Sequence, residues 1–267
     1  MGRAIEVVGG HVTNVSTTIT AMTANTGNSF TVRNFSDPAR AWLDGLWAQA
    51  ATAGVIRVRS PKLHDFTQGI RFTDVAAVSR TLIPEGLSQM LYAQDNLTFE
   101  MSGGASETDA GAMLIYYEDL PGVDARLATW DQVASRILFV LTVEVSVTNP
   151  TTAGDWSAGT AINATFDLLK ANTDYAILGY QAASAVGAVA VVGPDLGNLR
   201  AGGPGTTESI ETRSWFKRLS QNTGRPYIPI INSANKAGTN AAVIHTTASG
   251  STTVDLVMAQ LSPGVGV

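Results

Sequence analysis

The side chains able to do chemistry are few and scattered. The chain holds three histidines, His11, His64 and His245, in three distant segments. A barrel metal site of the three-histidine kind draws two ligands from close in sequence. No His-x-His pair exists here, so surface or hydrogen-bonded roles are expected. His64 and Asp65 are adjacent, and neighbours in a turn rarely orient one another as a base and its positioning acid. No Gly-x-Ser-x-Gly elbow accompanies them. Glu118 and Asp119 end a strand and, being consecutive, point to opposite faces of it. Gly202-Gly203-Pro204-Gly205 precedes a predicted helix, where backbone amides can hold an anion. It lacks the Lys-Ser/Thr of a phosphate loop and Pro204 removes a donor, so a tight crossing of strand and helix is expected instead. The chemistry-bearing residues therefore assemble no catalytic, cofactor-binding or metal-ligating set. The expectation is a non-enzyme without a small-molecule substrate.

Two further groups stand out. Arg57, Arg59, Lys62 and Arg71 form a local basic cluster in an acidic chain. On a strand, Arg57 and Arg59 share the face opposite Val58. Such a row either solvates a sheet edge and discourages pairing, or meets anionic lipid head groups or packaged nucleic acid. Trp42, Trp47 and Trp215 could form a sugar-stacking platform, but their helical spacing beside Leu46 and Leu219 points to packing against a core. Asn-x-Ser/Thr sequons at Asn14, Asn34, Asn96 and Asn163 matter only in a secreted chain. Met1 to Gly10 carries no apolar run of signal-peptide length, so synthesis in the cytoplasm is expected.

Composition limits the remaining classes. Of 267 residues, 15% are charged and 45% apolar, against roughly 25% charged in an average soluble protein. Thr, Ser, Asn, Gln, Ala and Gly replace the missing charge, a mixture suited to strands, turns and apposed surfaces. Lys+Arg number 17 against 22 Asp+Glu, which leaves no global basic field for a phosphate backbone. With no cysteine, disulfide scaffolds, thiolate metal sites and thiol nucleophiles are all excluded. The most apolar stretch, 182–193, falls short of the ~20 residues that a spanning helix needs.

Period-2 alternation and β-branched residues recur along the chain and predict strands over 6–15, 17–23, 29–33, 55–59, 69–73, 96–101 and 112–118. A second series is predicted over 137–148, 161–166, 175–180, 188–192, 227–231, 241–246 and 252–260. Two segments read as amphipathic helices. Asp37 caps and Pro38 opens one over 39–53; the other runs over 208–221 and ends at Asn222 and Gly224. A short helical piece is expected over 129–135.

The two helices share the pattern Arg-x-Trp-apolar-x-x-Leu, at Arg40 to Leu46 and Arg213 to Leu219. Each half also closes on an apolar strand and a Pro-Gly turn, Met113 to Gly122 and Val254 to Gly264. These features read as a degenerate internal repeat. The predicted fold is all-β, two tandem jelly-roll β-barrels over 1–123 and 124–267, each with one inserted amphipathic helix.

A tandem of two such barrels resembles the double jelly-roll major capsid proteins of tailless icosahedral viruses and phages. The resemblance covers most of the chain and rests on arrangement, size and composition. It implies a structural virion protein that self-assembles as a homotrimer into pseudo-hexameric capsomers of an icosahedral shell, made in the host cytoplasm. Implied partners are neighbouring capsomers, minor capsid or penton proteins, and an internal membrane or packaged genome met through Arg57, Arg59, Lys62 and Arg71. Low charge and small side chains fit buried subunit flanks, where charges are costly to desolvate. The rival expectation is a β-sandwich carbohydrate-binding or attachment module, which would expose aromatics in its loops.

Overall fold

A computed structural model describes residues 2–13, 17–50, 52, 54–63, 67–73, 80–82, 88–104, 108–182, 185–205 and 212–263. In the first half, strands β1 (Gly2–Thr13), β2 (Thr20–Ala21), β3 (Thr23–Ala24), β4 (Arg40–Gln49) and β5 (Val55–Arg59) come in order. They are followed by β6 (Ile70–Thr73), β7 (Arg80–Leu82), β8 (Gln89–Leu91), β9 (Thr98–Met101) and β10 (Thr108–Leu120). The second half runs β11 (Leu127–Ala128), helix α1 (Trp130–Ala134), β12 (Ile137–Thr148), β13 (Thr160–Ala161), β14 (Asp174–Ala182) and β15 (Val186–Val192). It continues with β16 (Ala201–Pro204), helix α2 (Trp215–Thr223), β17 (Ile228–Asn232), β18 (Asn240–His245) and β19 (Ser251–Leu261).

These strands form four antiparallel sheets, and each sheet draws on one half only. A long sheet, β3-β1-β10-β4-β7 with β8 also on β4, and a short sheet, β2-β9-β5-β6, make up the first half. The second half has the long sheet β11-β17-β14-β19-β12 and the short sheet β13-β18-β15-β16. If β2 and β3 count as one broken second strand, β7 and β8 as one broken sixth, and β11 is set aside as an added strand beside β17 so that β12 is the first of the second half, both halves obey one rule. Their long sheets place strands first, eighth, third and sixth side by side, and their short sheets second, seventh, fourth and fifth.

The four sheets stack as layers. Gly111 on β10 faces Met22, Phe99 and Ile56, so the long sheet of the first half closes on its own short sheet. The other face of that long sheet lies on the second half's short sheet, where Trp47 Nε1 donates to Gly187 O at 2.9 Å. Tyr180 on β14 donates to Pro204 O on β16 at 2.9 Å and joins the last two layers. One contiguous apolar core includes residues of all four sheets.

The expected helix over 39–53 is not formed, so the first half has no inserted helix there. Strand β4 lies between β10 and the β7–β8 pair and is covered on both faces, so its burial is nearly continuous. A doubly covered strand loses the in-out alternation that identifies strands, and Arg-Ala-Trp-Leu-Asp-Gly-Leu-Trp then reads as helical spacing. Ala and Leu favour a helix locally, and tertiary packing overrides that preference. The paired motifs of the proposed repeat are therefore not equivalent, because Arg40 to Leu46 is strand and Trp215 to Leu219 is helix. The closing strands are equivalent, since β10 and β19 are both eighth in their halves.

Some other expectations agree with the structure, whereas the strands expected over 29–33 and 161–166 do not form beyond an isolated bridge at Thr31 and the two-residue β13. Strands β5 and β12 have the predicted bounds. Thr129 caps α1 in a capping box with Gln132. Helix α2 ends on Gly224 at φ 69°, in the left-handed region where glycine is favoured; the start expected at 207–211 lies outside the described residues. No helix among the described residues is long and apolar enough to cross a membrane.

Candidate functional site

The seam between the two halves gathers the residues with the most demanding chemistry. Strand β4 carries a bulge, since the register steps from Leu114↔Gly45 to Ile115↔Leu43 and leaves Asp44 as the extra residue. Bulges re-aim side chains, and this one seats the Asp44 carboxylate where its side chain is 1% exposed. Arg225 from the second half donates to both of its oxygens, at 3.0 and 2.7 Å, and to Ser88 Oγ at 2.9 Å. Tyr227 OH also donates to Asp44 Oδ2. The guanidinium lies 4.2 Å from the centroid of Trp42 and 5.2 Å from that of Tyr116, a cation–π arrangement strengthened by desolvation. Burial pushes the Asp44 carboxyl above its ordinary value, against the opposing pull of Ser88 and Arg225.

Aromatic packing continues along the seam. Trp47 and Trp215 meet edge to face at 6.3 Å, and Tyr116 and Tyr227 meet at 5.3 Å with their rings tilted by 46°. Trp215 reaches its place because β16 is built of small residues. A Cβ on Gly203 would stand 2.2 Å from Trp215 Nε1 and 2.5 Å from the Tyr180 hydroxyl. Trp215 Nε1 also donates to Gly202 O at 3.1 Å. The glycine run is thus a close crossing of strand and helix segment, as expected from the sequence.

At the other end of the seam, Thr26 donates from its backbone nitrogen and its hydroxyl to Asp155, at 2.8 and 2.6 Å. Trp156 Nε1 donates to Asn28 Oδ1 at 2.8 Å, and the Arg200 guanidinium lies 5.1 Å from the centroid of the Trp156 ring. Burial tends to raise the Asp155 carboxyl, yet the Thr26 hydrogen bonds and the Trp156 backbone N–H hold it below its ordinary value. The seam therefore combines aromatic contacts with polar pairs, buried at Asp44 and exposed at Thr26–Asp155, while the Tyr116 hydroxyl and Asn28 Nδ2 are buried without a hydrogen-bond partner among the described residues.

The remaining singled-out residues are dispersed. His11 pairs with Asn25 Oδ1 at 2.9 Å and His245 with Thr247; both lie beside Gly154, whose N–H donates to His245 O. His64 and Asp65 lie outside the described residues, as does Asn14. No metal-ligating group of three or more His, Cys, Asp or Glu occurs among the described residues. Glu118 stands opposite Arg40 in the β10–β4 register.

The basic cluster departs from the expected solvated edge, because β5 is an interior strand between β6 and β9. Arg57 Nε and Arg59 Nε both donate to Glu100 Oε2, at 2.6 and 2.8 Å. Burial opposes ionisation of Glu100, but the hydrogen bonds from Arg59 and Arg57 outweigh it and hold the carboxyl below its ordinary value. Lys62 donates to Ala93 O and Arg71 to Gln68 Oε1, neither taking a carboxylate partner among the described residues. Asp44, Arg225 and Tyr227 were not identified from sequence. The available signal was a lone acid inside the apolar run Trp42 to Trp47.

No family profile matches this chain, and no curated protein does. Among solved structures it is similar to the PBSX exported protein XepA, at 9% identity over 97% of this chain and 86% of that one, with a TM-score of 0.28. It is also similar to YhaK from Escherichia coli, at 7% identity over 95% and 86%, TM-score 0.23. The major capsid protein P2 from bacteriophage PM2 matches at 7% identity over 99% of this chain and all of that one, TM-score 0.24. Backbone agreement at this level assigns neither fold family nor activity.

Proposed function

We propose that this chain is a structural virion subunit, a major capsid protein of two tandem jelly-roll barrels that assembles as homotrimeric capsomers in the shell. The observation that carries this reading is the strand order, repeated in both halves, in which first-eighth-third-sixth faces second-seventh-fourth-fifth. We read that winding as the eight-stranded jelly roll, an architecture used by capsid, lectin and cupin domains. A fold alone does not choose among these. The seam supports the capsid choice, since a shell subunit gains from two barrels held in one fixed relation by buried contacts.

A sugar-stacking module is less well supported, because Trp42, Trp47, Trp156 and Trp215 are engaged in the seam or packed against it. The proposed role is structural, with localisation in the virion. Sedimentation velocity of the purified protein tests the reading. A discrete species at three times 27.9 kDa is expected, and a monomer across the accessible concentration range would overturn it.

A further inference from the structure

The chain has five tryptophans, all within the described residues, and four of them serve the seam. The fifth, Trp130, is half-buried at the start of α1 and lines a surface pocket of about 320 Å³. Thr129, Trp130 and Asp131 form one wall of it, and Ser220, Gln221 and Gly224, from the end of α2, form the other. Short-range devices hold the two walls in place. The Trp130 backbone N–H donates to Ser220 Oγ at 2.8 Å, and Gly224 closes α2 by donating its N–H to Ser220 O at 2.9 Å. A volume of this order lies at the small end of ligand sites.

The pocket has a negative character from three sources. Asp131 is exposed and takes no cation among the described residues. Helix α2 has no basic residue in its last turn, so no side chain there offsets the carbonyl pole of its dipole, which ends at this pocket. The third source is the π face of Trp130, and it already holds a cation: Lys217 Nζ lies 4.4 Å from the ring centroid. Such a contact is held by the ring quadrupole. Lys217 reaches the ring from one turn before Gln221 and pairs with no carboxylate among the described residues.

We infer that this pocket binds a small ligand through an ammonium group, which takes the Trp130 face from Lys217 and pairs with Asp131. An anion would meet both Asp131 and the carbonyl pole of α2. A neutral sugar would need the ring face that Lys217 covers and would bring no charge to answer Asp131. An ammonium answers all three features at once, and the Thr129 hydroxyl and the Gln221 amide are left for the polar remainder of the ligand. Lys217 is then an internal competitor, which swings into solvent when the ligand enters. Free polyamines and amino sugars share this chemistry. The site lies within one half of the chain and does not depend on its assembly state.

Titration of the isotope-labelled protein, followed at the tryptophan indole N–H signals by NMR, tests the inference. The probes are spermidine and glucosamine at mildly acidic pH, where both carry their protons, with N-acetylglucosamine as the neutral control. A saturable shift of the Trp130 signal is expected with at least one amine and none with the control; the amine that binds more tightly distinguishes a polyamine from an amino sugar. Trp130→Leu should abolish the binding, and Asp131→Asn should weaken it at least about threefold. Lys217→Gln should tighten it about two- to tenfold, because the internal competitor is gone. Asp131 and Lys217 lie at the surface, so unchanged thermal unfolding of these two variants separates an altered site from an altered fold.

No saturable shift with either amine would overturn the inference and leave the capsomer reading standing. Binding that Lys217→Gln weakens or leaves unchanged would also overturn it, since Lys217 would then not compete for the ring. An equal response to N-acetylglucosamine would assign a neutral sugar site in its place.

Discussion

Replacing Arg225 by Ala removes the only cation that touches Asp44 among the described residues and leaves a carboxylate with 1% side-chain exposure inside the seam. Breaking a buried pair from one side costs about 3–5 kcal/mol, because the remaining charge is uncompensated. At the usual response of a domain this size, that is a drop in Tm of roughly 6–20 °C. The pH dependence carries the mechanism.

Asp44 already holds its proton more tightly in the folded chain than in the unfolded one. Its contribution to stability is therefore full below the ordinary aspartate value and declines as pH rises through the raised folded value. Without Arg225 the folded value rises further, so the loss extends to higher pH. The variant should be closest to wild type in mild acid and furthest from it near neutrality. Thermal unfolding of both proteins between pH 5 and 8 measures this. A variant within about 1 kcal/mol of wild type at pH 7, with an unchanged pH profile, would refute the claim that Arg225 compensates a buried charge.

Other consequences are simpler to read. Trp215→Ala removes a buried ring that touches Trp47 and Gly202 and should cost about 3–5 kcal/mol in chemical denaturation. Gly203→Val drives a side chain into the space of Trp215 Nε1 and the Tyr180 hydroxyl; a loss of about 1–3 kcal/mol is expected, and an unchanged midpoint would mean that β16 and α2 do not cross closely. The Arg126 guanidinium, donating to Asp174 at 2.7 and 3.1 Å, holds that carboxyl below its ordinary value. Its stabilisation is present above the unfolded aspartate value and disappears as pH falls through the lowered folded value. Arg126→Met should therefore flatten the acid limb of the stability profile, as followed by circular dichroism.

How far the sequence could be read depended on which faces of each strand are covered. Strand β12 was read with its exact bounds because one face is wet, so Val143, Val145 and Val147 alternate with Thr142, Glu144 and Ser146. Strand β4 was misread because both faces are buried, and a continuous apolar run has no period to distinguish strand from helix. Strand β16 was missed, since Ala-Gly-Gly-Pro has no β-branched residue and is small to admit Trp215.

The basic cluster was visible as composition, yet its meaning turned on Glu100, about 40 residues away in the chain and adjacent only through the β5–β9 ladder. The seam lay furthest out of reach. Asp44 and Arg225 are 181 positions apart, and only the stacking of one half's long sheet on the other's short sheet brings them together.

The most direct test of two stacked barrels per subunit in a closed capsomer is an electron cryomicroscopy reconstruction of the purified assembly. A three-fold ring with six β-sandwich lobes of similar size, alternating between contacts within one chain and contacts between chains, is expected. Single sandwiches, or a ring with one lobe per chain, would contradict it.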